Sequence, residues 1–235
     1  MSAIQRLHKV KIEWSSPFAY AIGLIASDGN LSHDGRHIGI ISAELEAVEN
    51  FKKALGVNNR VGRSARGGES IKKYFYTQVG DIVFYEFLNS IGLTRAKSKT
   101  IKAVAVPDEF FADFVRGLFD GDGTFYSFWD KRWPNSFGFQ MAFASASPVF
   151  INWFKENLTR LYGVKGCFHN GDGVLNLRYM KGDSVKLFNV MYYKKDLIFL
   201  ERKYRNILNI IERDPNLKWK SIIATMNPHA GLAQR

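Results

Sequence analysis

A chain of 235 residues with 33 lysines and arginines against 22 acids carries a net charge of +11, which favours a polyanionic partner over an acidic role. Its 46% hydrophobic content is ample for one large or two small cores, so disordered and fibrous classes are excluded. The one cysteine, Cys167, excludes an internal disulfide framework, is expected to be buried, and is compatible with a reducing compartment.

No apolar run approaches membrane-spanning length and the first ten residues lack a secretory core, so a soluble intracellular protein without a membrane partner is expected. Residues 1–16 read as a lead-in, with Ser15, Ser16 and Pro17 capping a helix that ends at Asp28-Gly29. Asp34-Gly35 signals a two-residue hairpin, residues 44–55 a helix, and Arg60 to Val79 a second hairpin turning at Gly67-Gly68. Helices are expected over 81–91 and 95–105, and residues 102–109, with Pro107, form a linker. A helix through 113–123 then opens the same order again. Strands follow at 123–129 and 136–145, a helix at 148–162, strands at 165–169 and 174–180 about a turn at Gly171-Asp172-Gly173, and helices at 183–192 and 199–212.

The halves, 1–101 and 110–235, are thus read as a duplication. Val115 to Gly123 superimposes on Ala21 to Gly29, so that Gly117 matches Gly23, Leu118 matches Leu24 and Asp122 matches Asp28. Ser42-Ala43 recurs as Ser145-Ala146, Gly80-Asp81 as Gly182-Asp183, and Lys97 as Lys203. The offset grows after the motif, which locates an insertion at Asp130 to Ser136, a basic, tryptophan-bearing loop. Gly117 and Gly121 lie four apart on one helical face, as do Ala19, Gly23 and Ser27. A helical glycine costs about 1 kcal/mol relative to alanine, and its repetition on one face predicts that two helices meet backbone to backbone. Asp28 and Asp122 end these helices, where the macrodipole disfavours a carboxylate. A divalent cation between them relieves both that penalty and their mutual repulsion, and oxygen ligands with room for water and phosphate suit magnesium.

Ala21-Ile-Gly-Leu-Ile-Ala-Ser-Asp-Gly29 and Val115-Arg-Gly-Leu-Phe-Asp-Gly-Asp-Gly123 resemble the paired signature of single-chain LAGLIDADG homing endonucleases. The second copy keeps both acids of the pattern, Asp120 and Asp122, whereas the first has Ala26 at the earlier position. The resemblance spans nearly the whole chain. It implies an α+β, pseudo-twofold protein, a duplicated αββαββα unit whose two antiparallel sheets form a saddle over double-stranded DNA. It further implies a monomer that hydrolyses one phosphodiester on each strand of a long pseudo-palindromic site, leaving 3′ overhangs. Asp28 and Asp122 would then be catalytic and hold Mg2+, with Ser27 and Gly121 completing the metal set. Mn2+ would substitute, and Ca2+ would support binding without cleavage. The family's basic residue beside the active site maps onto Lys97 and Lys203, with Lys99 and Arg205 as neighbours.

Strand alternation assigns Leu31, Ile38, Ile40, Phe75 and Thr77 to the helix side of the first sheet and Asn30, Ser32, His37, Tyr74, Tyr76 and Gln78 to the other. The equivalent outward set in the second half is Thr124, Tyr126, Gln140, Asn176 and Arg178. With Arg36, Arg60, Arg63, Arg66, Lys72, Lys131, Arg132 and Lys165, these side chains make a polar, basic surface suited to base edges and phosphates. The histidines, at 8, 33, 37, 169 and 229, show no paired metal-ligand spacing, so zinc is not indicated. Two alternatives share the fold: a maturase whose partner is its host intron RNA, and a DNA-binding regulator that has lost cleavage. Retention of both Asp28 and Asp122 favours the nuclease.

Overall fold

Ser15 adopts extended backbone and accepts the Phe18 N–H through its side chain, and with a proline in the first turn it starts helix α1, Ser16–Ser27. The computed structural model describes residues 8–65, 73–133 and 136–215, and the chain forms two compact units, Met1–Gly121 and Asp122–Arg235. After α1 the first unit runs β1 (Gly29–Leu31), β2 (His37–Ser42), α2 (Leu45–Leu55), β3 (Gly62–Ser64), β4 (Tyr74–Gly80), α3 (Ile82–Ser90) and α4 (Phe111–Asp122), the last crossing into the second unit by one residue. Its sheet is antiparallel throughout, in the order β1-β2-β4-β3. Register places Leu31 opposite Ile38, Ile38 opposite Val79 and Ile40 opposite Thr77, and all five are buried. This alternating face meets Val48 and Phe51 of α2 and Phe84 and Leu88 of α3, which are fully buried. Asp81 caps α3 by accepting the Phe84 N–H, and Gly56 ends α2 at φ 66, a left-handed turn suited to glycine.

The second unit contains β5 (Gly123–Trp129), β6 (Phe137–Ser145), α5 (Pro148–Tyr162), β7 (Cys167–Asn170), β8 (Leu175–Tyr179), α6 (Lys181–Met191) and α7 (Glu201–Glu212). Its sheet order, β5-β6-β8-β7, repeats the connectivity of the first. Phe139, Met141, Phe143, Leu177 and Tyr179 form the buried face, with Phe143 edge-on to Phe154 of α5. The duplicated α+β architecture expected from the repeat is therefore present, strand for strand. No helix among the described residues is long and apolar enough to cross a membrane.

Three expectations are corrected. The helix expected over 95–105 is reduced to a single 3₁₀ turn at Lys97–Lys99. Ala96 adopts left-handed backbone at φ 49, and the chain beyond Thr100 runs without helix so that Ile101 and Val104 are buried and Ala105 N–H bonds the Ile91 carbonyl at 2.9 Å. The hairpin at Asp34-Gly35 is longer than two residues, since β1 ends at Leu31 and β2 begins at His37, with Gly35 at φ 72. Cys167 is exposed on β7. The turn at Gly67-Gly68 lies outside the described residues.

Candidate metal and nucleic-acid site

Helices α1 and α4 meet through their glycines. A β-carbon on Gly23 would stand 2.2 Å from the Phe114 carbonyl oxygen, and one on Gly117 would stand 2.0 Å from the Tyr20 carbonyl oxygen. Side-chain-free faces let the two backbones touch, as the spacing of small residues predicts. One turn further on, a β-carbon on Gly121 would stand 2.0 Å from Ser27 Oγ and 3.2 Å from Asp28 Oδ2. The close approach therefore continues to the helix ends, and the space beside the Asp28 carboxylate exists because residue 121 is glycine.

A buried polar ladder flanks this contact. Ser16 Oγ donates to Asp113 Oδ1 at 2.7 Å, Arg116 donates to the same oxygen at 2.6 Å, and Tyr20 donates its hydroxyl to Asp120 Oδ2 at 2.8 Å. Arg116 is 0% exposed and its guanidinium lies 5.5 Å from the Tyr20 ring centroid. The counterparts of Tyr20, Arg116 and Asp120 in the other copy are Phe114, Ile22 and Ala26, so the ladder is one-sided and departs from the repeat. Asp113 and Arg116, oppositely charged and three apart in one helix, are a sequence signal for their own pair.

The motif acids close their helices. Asp28 is half-buried and bonds its N–H to the Leu24 carbonyl at 2.9 Å, while Asp122, the last residue of α4, is exposed. Ser27 turns its hydroxyl back to the Gly23 and Leu24 carbonyls at 3.2 and 3.1 Å. In each unit a lysine reaches the residue that follows the motif acid. Lys97, buried in the 3₁₀ turn, donates to the Gly29 carbonyl, and Lys203 of α7 donates to the Gly123 carbonyl at 2.8 Å. Asn206, one turn along α7 and absent from the sequence reading, donates to the Phe125 carbonyl at 2.9 Å. Lys99 is exposed, and Arg205 pairs with Glu201 at 2.6 Å. Among the described residues no three His, Cys, Asp or Glu side chains cluster to hold a metal. The donor set at the helix ends is one carboxylate each plus main-chain carbonyls, all hard oxygens, which fits a magnesium-type ion that keeps water and phosphate in its remaining positions.

Both sheets present a face opposite their helices. In the first, Asn30, Gly39 and Gln78 form one cross-strand row, and Ile41, Tyr76 and Gly62 form the next, with Tyr74 opposite Ser64. Tyr76 lies over Gly62, where a β-carbon would stand 2.4 Å from its ring. His37 is hydrogen-bonded to Asp34, which Arg36 also approaches. That His37 bond, followed by the main-chain N–H groups of Arg36 and His37, holds the Asp34 carboxyl far below the usual carboxylate range. Ser32 lies beyond β1, where its carbonyl accepts the Tyr85 hydroxyl at 2.7 Å. Arg60 is exposed before β3. Arg63 departs from the expected face: it pairs in register with Phe75 and stacks on that ring at 3.8 Å, on the side shared with Thr77 and Val79. Arg66 and Lys72 lie outside the described residues.

In the second unit Thr124, Ala142, Arg178 and Cys167 share one row, Tyr126 faces Gln140, and Ala144, Asn176 and His169 share another. Tyr126 donates to Gln140 Oε1 at 2.8 Å, and the Gln140 amide meets Met180 Sδ at 3.2 Å. Lys131 is exposed, whereas Arg132 forks onto Asp130 at 3.2 and 3.0 Å, a pairing that lowers the Asp130 pKa and raises that of Arg132. Lys165 exposes its side chain before β7 and donates its main-chain N–H to Asp183 at 3.0 Å. The open faces are thus more aromatic, and Arg36, His37 and Arg132 more engaged, than alternation alone suggests.

No protein-family model and no curated protein matches the chain. Solved structures do. I-DmoI in complex with DNA and Ca superimposes with a TM-score of 0.50 at 16% identity, over 77% of this chain and 91% of that one. The homing endonuclease I-WcaI bound to its DNA recognition sequence superimposes with a TM-score of 0.56 at 10% identity, over 82% and 87%. Full-length DUF199/WhiA from Thermatoga maritima superimposes with a TM-score of 0.50 at 15% identity, over 92% and 69%. The chain has the LAGLIDADG fold of the homing endonucleases I-DmoI and I-WcaI, which it shares with WhiA.

Proposed function

We propose that the protein is a site-specific, divalent-metal-dependent DNA endonuclease acting as a monomer on a long pseudo-palindromic duplex and leaving 3′ overhangs. One observation carries the reading: two helices packed backbone to backbone each end in Asp-Gly, and each of those glycines gives its carbonyl to a lysine of its own unit. Each acid stands at the negative end of its helix dipole, where a carboxylate is disfavoured unless a cation is held beside it. The DNA-bound states of I-DmoI and I-WcaI support duplex DNA as the partner, and the Ca complex of I-DmoI supports a divalent cation.

Asp28 and Asp122 would hold Mg2+, with Mn2+ as a substitute, and the main-chain carbonyls of Ser27 and Gly121 would add neutral oxygens. When bound, the ion supplies Lewis-acid activation of a phosphoryl oxygen and lowers the pKa of water. Lys97 and Lys203 fix the backbone immediately after each acid and set positive charge beside the place where phosphate charge develops. The open sheet faces bind DNA, with Asn30, Asn176 and Arg178 at base edges and the exposed Arg60, Lys131 and Lys165 at phosphates. The fold by itself does not fix the activity, and its occurrence in WhiA supports a second reading, a DNA-binding protein without cleavage.

The test is a selection from a randomised duplex library, with cut ends sequenced after incubation in Mg2+, Mn2+ or Ca2+. The nuclease reading expects one consensus with short 3′ overhangs in Mg2+ and Mn2+, and enrichment without cutting in Ca2+. Specific retention without cutting in every metal supports the binding protein instead, and preference for structured RNA supports a maturase.

A further inference from the structure

At one end of the open face of the first sheet lies a pocket of about 290 Å3, lined by Lys9, Arg36, His37, Asn59, Gln78 and Asp81 among others. Its acids are already engaged. Asp81 is 0% exposed; its Oδ2 accepts the Lys9 and Val10 N–H groups at 2.6 and 2.9 Å and its Oδ1 the Phe84 N–H at 2.9 Å, with His8 Nδ1 3.9 Å from Oδ2. Asp34, at the rim, accepts the His37 ring and the main-chain N–H groups of Arg36 and His37. Asn59 is held by donating to the Gln78 carbonyl at 2.7 Å. The donors are less committed. Arg36 reaches Asp34 and His37 through Nε, and among the described residues neither the Lys9 ammonium nor the Gln78 side-chain amide has a partner. The space therefore offers two cations and an amide while its carboxylates face their own backbone donors.

We propose that this pocket binds a backbone phosphate of the bound duplex, with Lys9 as the charged contact, Arg36 beside it and Gln78 as the hydrogen-bond donor. The inference rests on the nucleic-acid reading of the open sheet face and adds to it a specific anchoring point supplied by the segment preceding α1. Two cations and an amide around one tetrahedral anion suit a phosphodiester, which needs several donors and offers no apolar surface. In the matching cross-strand row of the second unit Arg178 stands where the first has Gln78, so the amide donor of this pocket is particular to the first half.

The test is the salt dependence of binding to a labelled random-sequence duplex in Ca2+, for the whole chain. Lys9→Ala is expected to reduce the log-log slope by about 0.9, one neutralised phosphate. Gln78→Ala is expected to weaken binding with the slope unchanged. Lys53→Ala removes the same charge from exposed α2, a helix on the other side of the sheet, and is expected to leave the slope as in the wild type. Equal slopes for wild type and Lys9→Ala, or equal slope losses for Lys9→Ala and Lys53→Ala, would overturn the phosphate pocket while leaving duplex binding intact. A wild type that does not bind duplex at all overturns the nucleic-acid reading itself.

Discussion

Gly117 sets the tightest backbone contact between α1 and α4, since its Cα sits where any β-carbon would fall 2.0 Å from the Tyr20 carbonyl oxygen. Backbone cannot swing away as a flexible side chain can. Gly117→Ala is therefore expected to cost at least the roughly 1–3 kcal/mol of ordinary overpacking, read as a lower denaturant midpoint. An unchanged midpoint would contradict the backbone contact. The buried pair beside it gives a second test. Removing the cation alone, as in Arg116→Met, leaves Asp113 with an uncompensated charge and is expected to destabilise by about 3–5 kcal/mol, whereas Asp113→Leu with Arg116→Met recovers much of the loss. The glycine contact was legible in the sequence because two glycines four apart in an apolar helix have few other uses. The Tyr20–Asp120 bond of the ladder was not, because nothing in the chain says that Asp120 meets Tyr20 from a helix 100 residues away.

At the scale of elements, the repeat carried most of the fold. Capping by Ser15 and Ser147, the glycine exits of α2 and α5, and alternating strands locate nearly every element. The failures share a physical origin in tertiary override of local pattern. Residues 95–105 have helix-forming composition, yet Ile101 and Val104 are buried without a helix and Ala105 bonds Ile91. Arg63 was misassigned because its face depends on pairing with Phe75 across a hairpin whose register no local pattern sets. Lys97 and Lys203 illustrate the opposite case: one sits in a 3₁₀ turn and the other in a helix, yet both reach the carbonyl after a motif acid. Their equivalence was readable from the repeat, as was the helix that carries Lys203, whereas the 3₁₀ turn that carries Lys97 was not. Lys203→Met is expected to slow single-turnover cleavage by roughly 100- to 1000-fold, the order of one electrostatic donor, with duplex affinity in Ca2+ little changed. A loss of affinity matching the loss of rate would assign it to binding.

For the whole molecule, +11 of net charge and two open polar faces predict an affinity for duplex DNA that falls steeply with salt, by about 0.9 in log-log slope for each neutralised phosphate. A nearly flat dependence would argue against phosphate contacts. The central claim concerns the two motif acids, and the most direct measurement compares wild type, Asp28→Asn and Asp122→Asn on the selected target, with cleavage followed in Mg2+ and affinity in Ca2+. Each substitution keeps the shape of the side chain and removes one charge. The account predicts that both variants lose cleavage and keep sequence-specific binding. Undiminished cleavage by either one would contradict the assignment of these helix ends as the metal-dependent centre.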